Sequence, residues 1–134
     1  ARTTQGFRGI AADRSRIAFN GHMRVTSRAA GAATAQTLRS LLAGPAAEAD
    51  VRPQLEIDTD AVRASHGATV GKFDDDMLFY LLSRGIEPQA AESLLKWAFV
   101  SDVLAHLADP AWRARFEAAI APSLPGAAAA RSLP

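Results

Sequence analysis

"RASHGATVGKFDDD", residues Arg63 to Asp76, is the stretch where the pattern of this chain changes. If it begins as one strand, Val62, Ala64, His66, Ala68 and Val70 share one face, and Arg63, Ser65, Gly67, Thr69 and Gly71 share the other. After Phe73 the signals become helical. Asp74 suits an N-cap, and Asp75 and Asp76 stand where a helix N-terminus favours negative charge. The chain therefore divides near Phe73 into a strand-forming part and a helix-forming part.

Upstream of this stretch the apolar residues come in short alternating pieces. "RIAFNGHMRV" holds Asn20-Gly21, a turn signal between apolar flanks. "VRPQLEI" alternates through Val51, Leu55 and Ile57, with Pro53 marking an edge or a bend. Several short strands with little room for helices suggest an all-β layer or a β-solenoid. No clean repeat is visible, so pattern alone does not establish the solenoid. "RAAGAATAQTLRSLLAG", Arg28 to Gly44, is alanine-rich and also reads as a helix ending at Gly44.

Downstream, "DMLFYLLSR" leads to Gly85, which suits the left-handed position past a helix end, with Ile86 at the apolar position that follows. Pro88 fits the first turn of a second helix. Its apolar stripe is Ala91, Leu94, Leu95, Ala98, Phe99, Val103, Leu104 and Leu107. Asp109-Pro110 opens a third helix carrying Trp112, Phe116 and Ile120, and Pro122 ends it. "SLPGAAAARSLP" reads as a disordered tail.

With 134 residues the chain holds one domain's worth of sequence. Its hydrophobic content of 49% is largely alanine and only 7% is aromatic, so a modest core and a surface in need of a partner are expected. It opens on Ala1 and reads as an excised piece. The absence of cysteine excludes a disulfide, a thiolate metal ligand and a cysteine nucleophile from this chain. No apolar run approaches the roughly 20 residues of a membrane span, and no signal peptide is visible, so a cytoplasmic protein is the default expectation.

The net charge of +1 hides an uneven distribution. Residues 1–40 carry seven arginines and one acid, Asp13, whereas residues 48–76 carry eight acids and three bases. The basic third lacks lysine and has only Phe7 and Phe19 as aromatics, so we read solvated arginines on strand faces and expect no nucleic-acid partner.

The motifs exclude several chemistries. A phosphate loop requires two glycines enclosing four residues, then Lys and Ser or Thr; here Gly67 and Gly71 enclose three, and Phe73 stands at the hydroxyl position. Ser65 and His66 are strand neighbours that point to opposite faces, so they form no catalytic pair. His22, His66 and His106 lack metal-ligand spacing, and the three aspartates are more simply a helix cap than a cation site. His66 is then either a structural strand histidine or half of a site completed by another chain. Its small neighbours Ala64, Gly67 and Ala68 leave room for another backbone or a cofactor.

"PQLEIDTDAVRASHGATVGKFDDDMLFYLLSRGIEPQAAESLLKWAF", Pro53 to Phe99, resembles the carboxy-terminal region of the SufB/SufD family, scaffold subunits of the SUF iron–sulfur cluster assembly system. "FRGIAADRSRIAFNGHMRV" and "LLAGPAAEADVRPQLEI" are similar to it too, so the likeness runs from about Gly6 to Leu107. Gly67 follows His66 where the SufB branch has glutamate, and the essential SufB cysteine is absent, so the chain resembles the SufD branch. The alanine-rich segment 28–44 is less polar than the family pattern.

The resemblance implies a fold class of β-helix (solenoid) rungs followed by a small all-α domain: terminal rungs of a right-handed β-helix over 1–72, helices over 73–121 and a tail over 122–134. It implies a non-catalytic scaffold subunit for cluster assembly, not an enzyme. The implied partners are a SufB-like subunit joined through strands and a SufC-like ATPase docked on the helices, with the chain able to self-pair in isolation. No cofactor is expected on the isolated fragment; a transient iron–sulfur cluster would form at the interface of the full complex. His66 would ligate iron or position a ligand there, and many SufD sequences have cysteine at the position of Ala64. Phe79, Tyr80 and Arg84 are the candidates for the ATPase contact, although Phe79 and Tyr80 can equally be core residues. A structural interaction module without a role in cluster chemistry is the competing reading.

Overall fold

The computed structural model describes residues 1–124. They fall into two compact units, residues 1–72 and a second beginning at Phe73, described here one at a time.

The first unit has five strands: β1 (Arg2–Ala12), β2 (Arg16–Val25), β3 (Ala33–Ala43), β4 (Glu48–Ile57) and β5 (Arg63–Gly71). All pair in parallel, in the order β1-β3-β5 in one sheet and β2-β4 in the other. Parallel neighbours cannot be joined by a tight turn. Here the crossover between them is a strand of the other sheet, so the chain alternates between the two.

The core lies where the sheets meet. Leu38 on β3 is only 1% exposed, and Met23 and Val25 on β2 are buried with Ala11 of β1. Burying a leucine side chain of this kind contributes about 1.5–3 kcal/mol. The Phe7 and Phe19 rings, from β1 and β2, lie 4.7 Å apart between centroids, and Thr34 Oγ1 of β3 donates to Met23 Sδ at 2.9 Å. These contacts tie one sheet to the other.

On the β2–β4 pair, charge complements register. Arg16 sits opposite Glu48 and Arg24 opposite Glu56. Arg24 lies 3.2 Å from Glu56 and 3.1 Å from Asp58, and Arg52 reaches Asp50 at 2.9 Å. Each exposed pair contributes under about 1 kcal/mol, but a one-residue slip would break the cross-strand pairs of Arg16 and Arg24 together, whereas Arg52–Asp50 lies within β4.

Three expectations are corrected here. The first is the β-helix: the first unit is two separate parallel sheets, and together with the three helices of the second unit the chain is a mixed α/β fold. A solenoid needs about three or more stacked repeats to bury a continuous core. Five strands divided between two sheets give two pairings in one and a single pairing in the other, and most of β5 stays exposed. Second, Asn20-Gly21 is no turn but the middle of β2. A Cβ on Gly21 would stand 2.6 Å from Phe19 Cε1 of the same strand and 3.0 Å from Gln36 Oε1 of the opposite sheet, so the glycine answers to packing and not to a turn. Third, the helix reading of 28–44 fails: Ser27–Ala29 make a short 3-10 turn and Ala33–Ala43 are β3. Pairing on both edges of β3 overrides the propensity of its alanines.

The second unit holds α1 (Asp75–Ser83), α2 (Pro88–Leu104) and α3 (Pro110–Ile120). Asp74 Oδ1 accepts from the amides of Asp76 at 3.0 Å and Met77 at 3.1 Å, closing the start of α1. Gly85, at φ 81°, ends it: its amide reaches Leu82 O at 2.9 Å and that of Ile86 reaches Leu81 O at 3.2 Å. This is the paired carbonyl capping that a glycine past the helix end permits. Ala91 and Leu104 of α2 are buried, and Arg113 of α3 donates to Leu107 O at 2.7 Å, just beyond α2. Asp109 caps α3 through the Ala111 amide at 2.8 Å. Within the tail expected over 122–134, Pro122 and Ser123 belong to a 3-10 turn, Ala121–Ser123, and residues 125–134 lie outside the described residues.

Two glycines give a contrast that tests this packing. A Cβ on Gly44 would lie 2.5 Å from both the backbone N and O of Asp13, whereas one on Gly67 meets nothing within 4 Å. Gly44→Ala is expected to cost about 1–3 kcal/mol or more, because backbone must move to admit it. Gly67→Ala should stay within about 0.5 kcal/mol of the parent in urea unfolding.

Candidate functional site

The register places Gln5, Gln36 and His66 in one row across β1, β3 and β5. Alternation along β5 gives His66 the face shared by Ala64, Ala68 and Val70. Gln36 is only 4% exposed; its Nε2 donates to Gln5 Oε1 at 3.0 Å, and its own buried Oε1 has no partner among the described residues. The amide fills the space that Gly21 leaves open on the facing strand.

His66 is the next residue along this row and lies on an edge strand. It is exposed and makes no hydrogen bond or ion pair among the described residues. The other two histidines are engaged: His22 Nε2 lies 3.1 Å from Glu56 Oε2, and His106 Nδ1 lies 2.9 Å from Asp102 O. His66 thus presents an uncommitted imidazole, able to bind a metal ion through a neutral nitrogen or to carry a proton. No group of three His, Asp or Glu side chains suited to a metal ion occurs among the described residues, so metal binding at His66 requires ligands from elsewhere.

The second set of candidates lies on α1 and just after it. Phe79 is 72% exposed and Tyr80 54%, so neither is a core residue, and Met77 beside them is 55% exposed. The Arg84 guanidinium stands 5.2 Å from the centre of the Tyr80 ring. His66 and this aromatic set belong to different units.

The sequence reading missed a further exposed pair. Trp112 and Phe116 of α3 stand outside the core with ring centroids 6.1 Å apart, and the Arg115 guanidinium lies 5.3 Å from the Trp112 ring. Two aromatics four residues apart with two arginines between them were the available signal.

Residues 1–99 match the family described as SUF system FeS cluster assembly, SufBD core domain. The chain belongs to this family. Within it the chain is SufD-like. It is 42% identical over 119 residues to the "Iron-sulfur cluster assembly protein SufD" of Escherichia coli (strain K12), a match covering 89% of this chain and 28% of that protein. It is similar also to the protein of the same name from Bacillus subtilis (strain 168), at 37% over 99 residues, covering 74% of this chain and 23% of the relative. A Mycobacterium tuberculosis (strain H37Rv) protein named as an iron–sulfur cluster assembly SufBD family protein is 40% identical over 101 residues, with 75% and 25% covered. The chain thus spans about a quarter of the length of these curated relatives.

The exposure of the α1 aromatics has a direct consequence for stability. Phe79→Ala and Tyr80→Ala should each change the unfolding free energy by no more than about 0.5 kcal/mol, as expected of surface positions. Leu104→Ala, at a site 6% exposed, should cost about 2–5 kcal/mol in the same denaturant titration.

Proposed function

We propose that this chain is a non-catalytic part of an iron–sulfur cluster assembly scaffold, in which His66 supplies half of a site whose other ligands come from a second chain. The exposed, unpartnered imidazole on an edge strand is the observation that carries this reading. Membership of the SufBD family and the cluster-assembly names of its relatives support the process. In this reading the iron and sulfur are cargo, and His66 binds iron or orients a group that does.

The proposed partner at His66 is a SufB-like subunit that adds a strand beside β5. Main-chain hydrogen bonds would supply affinity, and the small side chains of β5 would let the second backbone come close. A second copy of this chain is the competing occupant of that edge when the partner is absent. The helices are proposed to receive a SufC-like ATPase through Phe79, Tyr80 and Arg84, residue types that anchor interfaces and here stand exposed. ATP would then bind the partner, in keeping with a glycine run here that departs from a phosphate loop. A cytoplasmic setting belongs to the same proposal; no described helix is long and apolar enough to cross a membrane.

His66→Ala tests the site within the assembled complex. Cluster yield is expected to fall at least tenfold while the variant co-purifies with its partners in unchanged amounts. Unchanged cluster yield would remove His66 from the chemistry, and loss of assembly would make this strand a structural joint only. For the second surface, the Phe79→Ala, Tyr80→Ala double variant should lower retention of the ATPase in a pull-down by tenfold or more. Undiminished retention would place that contact elsewhere.

A further inference from the structure

We propose that the face of the three-stranded sheet opposite His66 binds a phosphate group between Arg2 and Arg63. β1, β3 and β5 contain no Asp or Glu at all; the strand carboxylates are Glu48, Asp50 and Glu56 of β4. The arginines of the β2–β4 sheet, Arg16, Arg24 and Arg52, each lie beside a carboxylate. Arg2 and Arg63 are exposed and have no ion-pair partner among the described residues. The contrast is between Arg2 and Arg63 of this sheet and the three paired arginines of the other, within one small unit.

The register then brings the two unpaired cations to one place. Arg2, Ala33 and Arg63 form a row across β1, β3 and β5, and Thr4, Ala35 and Ser65 form the next row on the same face. Strands one apart are spaced about 4.8 Å, so the outer two backbones lie about 10 Å from each other. Both guanidinium groups can converge over the short side chain of Ala33. The exposed hydroxyls of Thr4 and Ser65 flank Ala35 in the same way. A cleft of ≈ 510 Å³ is lined by these six residues among others.

The donor set favours phosphate over carboxylate. Each arginine offers a planar fork that pairs with two oxygens at once. A carboxylate has two oxygens and is satisfied by one fork. A phosphate group has enough terminal oxygens to accept both forks and a hydroxyl besides. The site therefore suits inorganic phosphate or a phosphate monoester.

Nuclear magnetic resonance titration of the whole chain with inorganic phosphate, at fixed ionic strength, tests this. Saturable shifts are expected at Arg2, Thr4, Ala33, Ala35, Arg63 and Ser65. Arg2→Ala and Arg63→Ala should each weaken binding at least fivefold, and Arg63→Lys, which keeps the charge but loses the fork, should fall between parent and Arg63→Ala. Arg52→Ala, altering a paired arginine of the other sheet, should bind as the parent does. Adenosine monophosphate binding more tightly than inorganic phosphate would identify a carried phosphate as the ligand, and equal or weaker binding a free one. The proposal is overturned if acetate gives the same shifts, if the Arg2→Ala, Arg63→Ala double variant binds as the parent does, or if a single-stranded oligonucleotide shifts the whole sheet and phosphate shifts none of it.

Discussion

Parallel, in-register pairing of β1, β3 and β5 is the constraint on which the rest of the first unit depends. With Arg2 opposite Ala33 and Ala33 opposite Arg63, every second strand of the chain lands on the same rows. The pairing fixes which residues share a row, and alternation along each strand fixes which face the row occupies. A slip of one residue would exchange the faces. Gln36 would leave the interior, and His66 would change places with the arginine face.

The two faces of this sheet carry opposite kinds of cost. On the inner face the buried amide oxygen of Gln36 has no partner among the described residues, a deficit of about 1–3 kcal/mol for a group of this kind. The close fit against Gly21 and the bond to Gln5 offset part of it. An apolar residue at this position would remove the deficit, so Gln36 is the one buried polar member of a row whose ends, Gln5 and His66, are exposed. On the outer face Arg2 and Arg63 have no ion-pair partner among the described residues, and the strand carboxylates lie on the other sheet. One row ends at His66 on the sheet edge, where a partner chain is proposed, and the other ends at the arginines of the proposed anion site.

Local features were legible in the sequence, and pairing was not. The strand through His66, the Asp74 cap, the Gly85 stop and the proline starts of α2 and α3 all depend on a few adjacent residues, and all can be read from them. β3 could not, because alanine and leucine favour a helix until two neighbouring strands claim the backbone. Gly21 imitated a turn signal because its reason for being glycine is the packing of the Phe19 ring and of Gln36 around it. The likeness to the SufB/SufD family drew the reading toward a solenoid, whereas the strands separate into two sheets and the whole is mixed α/β. His66 stood out from sequence as a lone histidine among small residues. Its row with Gln36 did not, since no single sequence states a register.

The central proposal is that His66, and no other histidine of this chain, binds the iron or orients a group that does during cluster assembly. The chain has three histidines, two of them held by Glu56 and the Asp102 carbonyl, which makes the claim measurable in one spectrum. The chain would be labelled with nitrogen-15 at histidine and its ring resonances followed in the intact complex before and after iron loading. The account predicts that the His66 resonances broaden or shift strongly on loading while those of His22 and His106 keep their positions. Unperturbed His66 resonances in a cluster-loaded complex, or perturbation centred on His22 or His106, would contradict it.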